Sequence, residues 1–180
     1  MRILAISGSL RAASSNTSAL QAAALLAPED VDIILFNGLD RLPHFNPDLD
    51  TGEPADNAVK TLRSAVGRSD GILISSPEYA HALPGSLKNA LDWLVSSLEF
   101  PGKPIALINT APRASHAQAQ LREILTTMSA HLVDSASITL ALTGRNLDAA
   151  GIANDAELSG QLDAALRRFA AEIAGLNQAD

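Results

Sequence analysis

Short, almost continuous apolar runs alternate along this chain with stretches that have helical spacing. The five runs, each a predicted strand, are Arg2–Ile6, Val31–Phe36, Gly71–Ser75, Ile105–Asn109 and Leu132–Leu140. Strands that are buried on both faces have this uniform hydrophobicity, and they occur in parallel sheets that helices cover. The pattern therefore predicts an α/β fold.

The segments between the runs predict five helices. The first is Ala/Leu-rich around Ala19–Ala27, the second covers Thr51–Arg68, and the fourth covers Ser115–Ala130. Apolar residues spaced by three and four mark the third helix (Leu87, Ala90, Leu91, Leu94, Leu98) and the fifth (Leu158, Leu162, Leu166, Phe169, Ile173). Pro84 suits the first turn of the third helix. Asn154 or Asp155 is expected to cap the fifth helix.

Five strands that alternate with five helices suit a flavodoxin-like doubly wound fold with strand order 2-1-3-4-5. We expect a single domain over residues 1–180. Such a sheet binds its ligand beyond the carboxyl ends of strands 1 and 3. The two loops there are Gly8–Thr17 and Ser75–Pro84. Two long irregular stretches lie elsewhere: Asn37–Asp50, which is a candidate lid, and Thr143–Asn154.

The charge of the chain excludes several classes of partner. The net charge is −7 and the isoelectric point is near 5.0, which argues against nucleic acid and anionic membrane surfaces. No apolar run approaches the ~18 residues of a membrane span, and the N-terminus lacks a secretory pattern. We therefore expect a cytoplasmic protein. The chain has no cysteine, so redox chemistry requires a bound cofactor.

The first loop has the composition of a phosphate site. It reads Gly8-Ser9-Leu10-Arg11-Ala12-Ala13-Ser14-Ser15-Asn16-Thr17. Glycine allows a tight turn after the strand, hydroxyl groups act as donors, and the following helix presents its free N–H groups. Arg11 adds a fixed positive charge. ATP, a sugar phosphate and a dinucleotide all stay open as ligands at this point, and the alternative is a cluster of helix-capping serines.

The second loop is more specific. It reads Ser76-Pro77-Glu78-Tyr79-Ala80-His81-Ala82-Leu83-Pro84-Gly85-Ser86-Leu87-Lys88-Asn89-Ala90-Leu91-Asp92-Trp93. This segment resembles one signature of the NAD(P)H-dependent FMN reductases, which include quinone and chromate reductases. The first loop matches their other signature, G-S-x-R-x-x-S-x-N. The two motifs stand at the right distance, and the resemblance extends over most of the 180 residues.

The resemblance implies an FMN site built from both loops. The residues that would hold the flavin phosphate are Ser9, Arg11, Ser14, Ser15, Asn16 and Thr17. The edge of the flavin ring would be lined by Pro77, Glu78, Tyr79 and the backbone at Ala80 and His81. Thr110 is the transferable residue in the loop after strand 4. Backbone N–H groups near the ring would stabilise the negative charge that reduction builds.

Two neighbouring residues depart from the family pattern. Relatives commonly have Asn followed by Gly where this chain has Ala80 and His81. Backbone contacts survive such a change, but a side-chain amide is lost. The polarity above the ring, and with it the substrate preference, stays open.

Several residues have two interpretations. His81 either contacts substrate and supplies a proton to a quinone, or is an ordinary loop histidine. Arg113 either binds the phosphate of NADPH or is solvated. Trp93 and Phe100 are candidates for packing across a subunit interface, and for Trp93 the core is an equal alternative. Relatives of this kind tend to form dimers and tetramers, so the resemblance also implies a homodimer or homotetramer.

Neither a metal site nor an acid–base dyad of carboxylates is expected. His44, His116 and His131 are far apart and lack metal-ligand spacing. The pairs Asp30 with Asp32 and Asp48 with Asp50 lie at turn edges, where acidic side chains are expected to be solvated.

The leading hypothesis is an enzyme that uses FMN to pass electrons from NAD(P)H to a small acceptor. Quinones, free flavin, chromate and azo compounds are all candidate acceptors. No G-x-G-x-x-G motif is present, so the pyridine nucleotide would bind transiently over the flavin. The rivals are a flavodoxin-type electron carrier, against which the 3% aromatic content counts, and a regulatory module with a decayed flavin site.

Overall fold

The computed structural model of the protein describes residues 1–50, 52 and 56–178. Within these residues the strands are β1 (Arg2–Ser7), β2 (Asp32–Leu35), β3 (Gly71–Ser75), β4 (Pro104–Asn109), β5 (His131–Leu132) and β6 (Ile138–Thr139). The helices are α1 (Ser15–Leu25), α2 (Asn57–Gly67), α3 (Gly85–Asp92), α4 (Ser115–Thr127), α5 (Ala149–Asn154) and α6 (Ala156–Leu176).

The strands form one parallel sheet in the order β2-β1-β3-β4-β5, with β6 also paired to β4. Ile6 pairs with Ile74 between β1 and β3, and Leu73 pairs with Ala106 between β3 and β4. The predicted flavodoxin-like order is confirmed. β1 and β3 lie side by side, so the loops that follow them leave the same edge of the sheet.

Each face of the sheet has its own apolar core, because successive strand residues point to opposite sides. Leu4 and Ile6 face α2, α3 and α4, whereas Ile3 and Ala5 face α1, α5 and α6. Both cores consist of buried aliphatic side chains, with Trp93 and Phe100 in the first and Phe169 in the second. Among the described residues, no helix has the length and apolarity that crossing a bilayer requires.

The predicted fifth strand is broken into two short pieces. A single 3₁₀ turn, Asp134–Ala136, separates β5 from β6. Ser137 explains the break, because its Oγ accepts the Leu107 N–H at 3.0 Å and lies 3.1 Å from the carbonyl oxygen of Val133. A side chain thus takes a hydrogen bond that the backbone of a continuous strand would take, so the prediction of one strand over Leu132–Leu140 is wrong.

The third helix ends earlier than its apolar spacing predicts. α3 stops at Asp92, and Leu98 is 93% exposed. The carbonyl oxygen of Trp93 instead accepts the Arg63 guanidinium, at 3.0 Å from Nε and 2.8 Å from Nη2. That carbonyl oxygen thus accepts from a side chain of α2 instead of from the helix backbone. The chain then continues in turns in which an N–H group donates to the carbonyl oxygen three residues earlier.

Helix boundaries elsewhere agree with the predictions or shift slightly. Asp155 caps α6 by accepting the Leu158 N–H, as predicted. α2 begins at Asn57 behind the cap Asp56, and residues 51 and 53–55 of the predicted helix lie outside the described residues. The stretch Thr143–Asn154 is not wholly irregular, because it contains α5.

Candidate functional site

The two predicted ligand loops touch each other at the carboxyl edge of the sheet. The N–H of Gly8 donates to the carbonyl oxygen of Ser75 at 2.8 Å. A Cβ atom on Gly8 would lie 2.5 Å from the Oγ of Ser76, closer than any side chain allows. The loop after β1 and the loop after β3 therefore form the two walls of one site.

The first loop presents a group of unpaired hydrogen-bond donors. Ser14 caps α1 by accepting the Thr17 N–H at 3.3 Å, and the Oγ of Ser9 accepts the Arg11 N–H at 3.3 Å. The N–H groups of residues 12–16 make no hydrogen bond to any residue that the structure describes. Within the same described part, the exposed guanidinium of Arg11 also lacks a protein partner. A helix N-terminus, free N–H groups and an unpaired guanidinium together form an anion site.

Asn16 links the start of α1 to the ends of β3 and β4 beneath this loop. Its Oδ1 accepts from the hydroxyl groups of Ser75, at 2.9 Å, and Thr110, at 3.1 Å, and all three side chains are buried. The hydroxyl of Thr17 is likewise taken up within the protein, 2.8 Å from that of Ser7. The oxygen of Asn16 and the hydroxyl of Thr110 therefore join the strand ends, and the Nδ2 group of Asn16 is left for a ligand.

The second loop contains a two-residue hairpin turn. Tyr79 and Ala82 exchange two backbone hydrogen bonds of 3.0 Å, and the central residues Ala80 and His81 have φ angles of 50° and 60°. Positive φ at both central positions defines a type I′ turn, in which Asn-Gly is the preferred pair. The departure from the family pattern thus lies at the two positions where a side chain is most strained. The N–H groups of Ala80 and His81 donate to no residue that the structure describes.

Glu78 anchors this turn to α4. Its Oε2 accepts the Ala117 N–H at 2.9 Å, so the carboxylate caps a helix whose own preceding residue, Ala114, offers no side-chain cap. Gln120 adds a second link by accepting the Leu83 N–H at 2.8 Å. The Ala117 N–H lowers the pKa of Glu78 below its ordinary value, partial burial opposes this, and His116 and His81 lower it further. Glu78 is therefore ionised near neutral pH.

His116 belongs to this site, although its sequence position gives no sign of it. Its ring lies edge-to-face against that of His81, with the ring centroids 4.6 Å apart. The Nδ1 of His81 lies 3.2 Å from the Oε1 of Glu78. The adjacency of β3 and β4 is the only signal that could have brought His116 to attention, because the loops after neighbouring strands meet.

Other residues that the sequence singled out lie elsewhere or have other roles. Trp93 and Phe100 are each 1% exposed, so their interpretation as interface residues is wrong and both belong to the core. Asp50 is not solvated as expected, because its buried carboxylate pairs with Arg63 at 2.7 Å. Arg113 is exposed, as the solvated interpretation requires. No cluster of three metal-ligating side chains occurs in the described part of the chain.

Comparison with known proteins adds to this geometry. The profile of the family described as NADPH-dependent FMN reductase matches residues 1–143. The chain belongs to this family. The NAD(P)H-dependent FMN reductase of Pseudomonas aeruginosa is 35% identical over 157 residues, which cover 84% of this chain and 83% of that protein. A 2-hydroxy-1,4-benzoquinone reductase of Burkholderia is 32% identical over 157 residues, 84% of each chain.

The solved structures agree with the assignment. The flavoenzyme NAD(P)H:(acceptor) oxidoreductase FerB of Paracoccus denitrificans superposes with a TM-score of 0.84 at 28% identity, covering 97% of both chains. As an FMN reductase, the protein is an oxidoreductase that uses FMN and NAD(P)H, and the electron-carrier and regulatory hypotheses are set aside. The free donors of the first loop suit the phosphate of FMN, because a dianion needs several N–H groups and a positive charge.

Proposed function

We propose that this FMN reductase reduces quinones, with FMN held between the loop after β1 and the loop after β3. The observation that carries the proposal is the contact of Gly8 with Ser75 and Ser76. This contact joins the anion site of the loop after β1 to the hairpin turn of the loop after β3. The Asn16 side chain supports this arrangement from below, because it holds the ends of β3 and β4 to the start of α1.

At the phosphate end we assign binding to the free N–H groups of residues 12–16 and to the side chains of Ser9, Arg11, Ser14 and Ser15. Asn16 contributes through its Nδ2 group, while Thr17 and Thr110 act mainly by fixing their neighbours. Arg11 is suited to a phosphate because the positive end of the α1 dipole repels a guanidinium unless an anion lies between them.

At the ring end we assign Pro77, Glu78, Tyr79 and the backbone of Ala80 and His81 to the flavin edge. FMN, when bound, supplies the hydride-accepting and electron-donating centre of the reaction. The N–H groups of Ala80 and His81 are free of the hairpin's own hydrogen bonds, so they can stabilise negative charge on a flat ring. The Glu78 link to Ala117 fixes the turn in place, which limits the reorganisation that binding requires.

The acceptor side of the site is open. Tyr79 and His81 are exposed beside the turn, and they offer an aromatic face and a polar nitrogen to a planar molecule. A small planar quinone fits this chemistry, and a similar protein is a 2-hydroxy-1,4-benzoquinone reductase. NAD(P)H and the quinone would occupy this opening in turn, so catalysis would depend mainly on positioning.

We further propose a homo-oligomer that works in the cytoplasm, where NAD(P)H is available as a reductant. With Trp93 and Phe100 in the core, three of the exposed apolar side chains, Leu49, Val95 and Leu98, are candidates for an interface. A hydrogen bond between Asp50 and Ser96, 2.7 Å long, joins the two segments that carry them. Light scattering of the purified protein tests the oligomeric state.

The test of the function uses purified protein. We expect a visible flavin spectrum after addition of FMN, and NAD(P)H oxidation that increases when a quinone is added. Arg11→Ala is expected to weaken FMN binding about ten-fold or more, because a hydrogen bond to a charged group contributes about 1.5–3 kcal/mol. Isothermal titration with FMN measures this change.

Arg68→Ala is the matched control, because Arg68 is also exposed and precedes β3 at the opposite edge of the sheet. It should leave FMN affinity unchanged. Equal affinities for wild type and Arg11→Ala would remove Arg11 from the site. Absence of FMN binding in the wild type would refute the proposed site as a whole.

A further inference from the structure

Glu78 and His81 form a carboxylate–imidazole pair on the rim of the site. The two Glu78 oxygens have separate partners: Oε2 accepts the Ala117 N–H at 2.9 Å, and Oε1 lies 3.2 Å from the Nδ1 of His81. The Glu78 side chain is only 13% exposed, whereas that of His81 is 77% exposed. Helix α4 thus holds the carboxylate in place, and the carboxylate orients the ring.

This contact bears on which ring nitrogen of His81 carries the hydrogen atom. A carboxylate accepts hydrogen bonds but does not donate them, so the contact requires a hydrogen atom on Nδ1. The Nε2 atom is then the nitrogen that is left for a ligand. Two groups face His81. One is Glu78, on the same loop, and the other is His116, on α4, whose ring stands edge-to-face with a centroid distance of 4.6 Å.

The turn itself gives no reason for a histidine at this position. With a φ of 60°, residue 81 has the conformation that glycine adopts without strain, and Ala80 beside it has a φ of 50°. Strained backbone persists where surrounding contacts enforce it, and such positions are concentrated at functional sites. Here the enforcing contacts are those of Glu78 and His116.

We propose that His81, oriented by Glu78, is the proton donor to the reduced acceptor, with His116 as a positioning residue. The inference rests on the proposed function. Reduction of a quinone to a hydroquinone takes up two electrons and two protons. NAD(P)H supplies, through FMN, a hydride equivalent, which is both electrons and one hydrogen nucleus.

The second proton comes from the His81 imidazolium. Its Nε2–H bond breaks as an O–H bond forms on the quinone oxygen that carries the developing negative charge. The ring is left neutral with its hydrogen on Nδ1, bound to the Glu78 carboxylate, and water restores the Nε2 proton. Glu78 stays ionised throughout, which stabilises the imidazolium before transfer.

The test compares two acceptors at saturating concentration. A quinone needs protons, whereas ferricyanide takes one electron and no proton. The ratio of kcat with quinone to kcat with ferricyanide therefore isolates the proton step, since a loss of FMN or NAD(P)H binding lowers both rates. We expect His81→Asn and His81→Gly to lower this ratio about ten-fold or more, in line with general acid catalysis.

Stability and pH separate this role from a structural one. Asparagine and glycine, the two residues introduced at position 81, both tolerate positive φ. The His81→Gly variant should therefore unfold at a temperature no lower than the wild type, while its quinone-to-ferricyanide ratio falls. In the wild type the quinone-to-ferricyanide ratio should fall with rising pH, and this dependence should be lost in both His81 variants. His44→Asn, in an exposed histidine outside the site, should leave ratio and pH profile unchanged.

A measurement without cofactor tests the orientation directly. Nitrogen-15 NMR of the neutral His81 ring should show the hydrogen on Nδ1 in the wild type. In Glu78→Gln the side-chain amide can donate to that nitrogen, and the hydrogen should move to Nε2.

An unchanged quinone-to-ferricyanide ratio in both His81 variants would overturn the inference, and so would a wild-type ring with its hydrogen on Nε2. Failure of the wild type to oxidise NAD(P)H with either acceptor would instead overturn the proposed function and, with it, the donor role.

Discussion

Gly8 is required at its position by a close approach rather than by an unusual φ angle. Its Cα faces Ser76 and Leu87, and a Cβ atom there would lie 2.9 Å from the Cβ of Ser76 and 3.1 Å from Leu87 Cδ2. A rotation of the serine side chain relieves the contact with its Oγ but not the one with its Cβ. The distance between the two loops of the site is therefore set at this residue.

We expect Gly8→Ala to lower the free energy of unfolding by about 1–3 kcal/mol, the usual cost of an added methyl group in a packed region. It should also weaken FMN binding, because the loops must separate. Adding Ser76→Gly should recover part of both losses in a double-mutant cycle measured by urea denaturation and FMN titration.

Gly160→Ala is the control for this substitution. Gly160 lies inside α6 with nothing within 4 Å of its Cβ position, so alanine should stabilise the protein by about 0.5–1 kcal/mol. A Gly8→Ala protein as stable as the wild type would show that the loops yield without cost.

At the scale of elements, the loop Asn37–Asp50, a candidate lid by its composition, is hydrogen-bonded to α3. Asn89 of α3 donates to the carbonyl oxygen of Pro43 at 2.9 Å and accepts the Phe45 N–H at 2.7 Å. The Trp93 Nε1 donates to the same Pro43 oxygen at 2.8 Å. These bonds attach the middle of the loop to α3.

The end of the loop is held by an ion pair. Asp50, whose side chain is 6% exposed, accepts from Arg63 of α2 at 2.7 Å and from Ser96 at 2.7 Å. Burial acts to raise the pKa of Asp50, but the hydrogen bonds from Ser96 and Arg63 and the charge of Arg63 together lower it. A carboxyl group whose pKa is lowered on folding stabilises the protein above its unfolded pKa, and this contribution is lost as the pH falls through the folded pKa.

We therefore expect Asp50→Asn to destabilise the protein at neutral pH, with a difference from the wild type that shrinks as the pH falls below the ordinary carboxyl range of about 4. Urea denaturation at a series of pH values measures it. Asp48→Asn, in an exposed residue of the same loop, is the control and should change stability little at any pH. A difference for Asp50→Asn that stays constant with pH would contradict the ionised pair.

At the scale of the whole molecule, the C-terminal helix completes the fold beyond the segment that the family profile matches. That match ends at residue 143, whereas α6 covers one face of the sheet with Leu158, Leu162, Leu166, Phe169 and Ile173. The packing is tight, because a Cβ on Gly71 of β3 would lie 2.6 Å from Ile173 Cδ1 and 2.9 Å from Phe169 Cζ. The sheet that carries the site is thus supported by a helix far from it in sequence.

We expect Phe169→Ala to lower the free energy of unfolding by about 3–5 kcal/mol, because it removes a fully buried ring and leaves a cavity. Thermal and urea denaturation measure the loss. Leu25→Ala, which removes a side chain that is 65% exposed, should change stability by less than about 0.5 kcal/mol. Equal effects of the two substitutions would show that α6 contributes little to the sheet.

The parts of the protein that local pattern determines were predictable. Strand and helix order, the sheet order that follows from it, and the two ligand loops depend on apolar spacing and on residues that are adjacent in sequence. Helix caps such as Asp155 were predictable for the same reason, since the capping carboxylate and the N–H group that donates to it are three residues apart. Family membership followed from two short motifs that are continuous along the chain.

What only the tertiary structure decided is where polar side chains find their partners. Glu78 caps a helix 39 residues away, Arg63 ends α3 early by taking the Trp93 carbonyl oxygen, and Ser137 breaks the last strand. His116 joins His81 for the same reason. Burial of apolar residues is periodic and so is visible in one segment, whereas a hydrogen bond needs two groups whose distance depends on how all the segments pack.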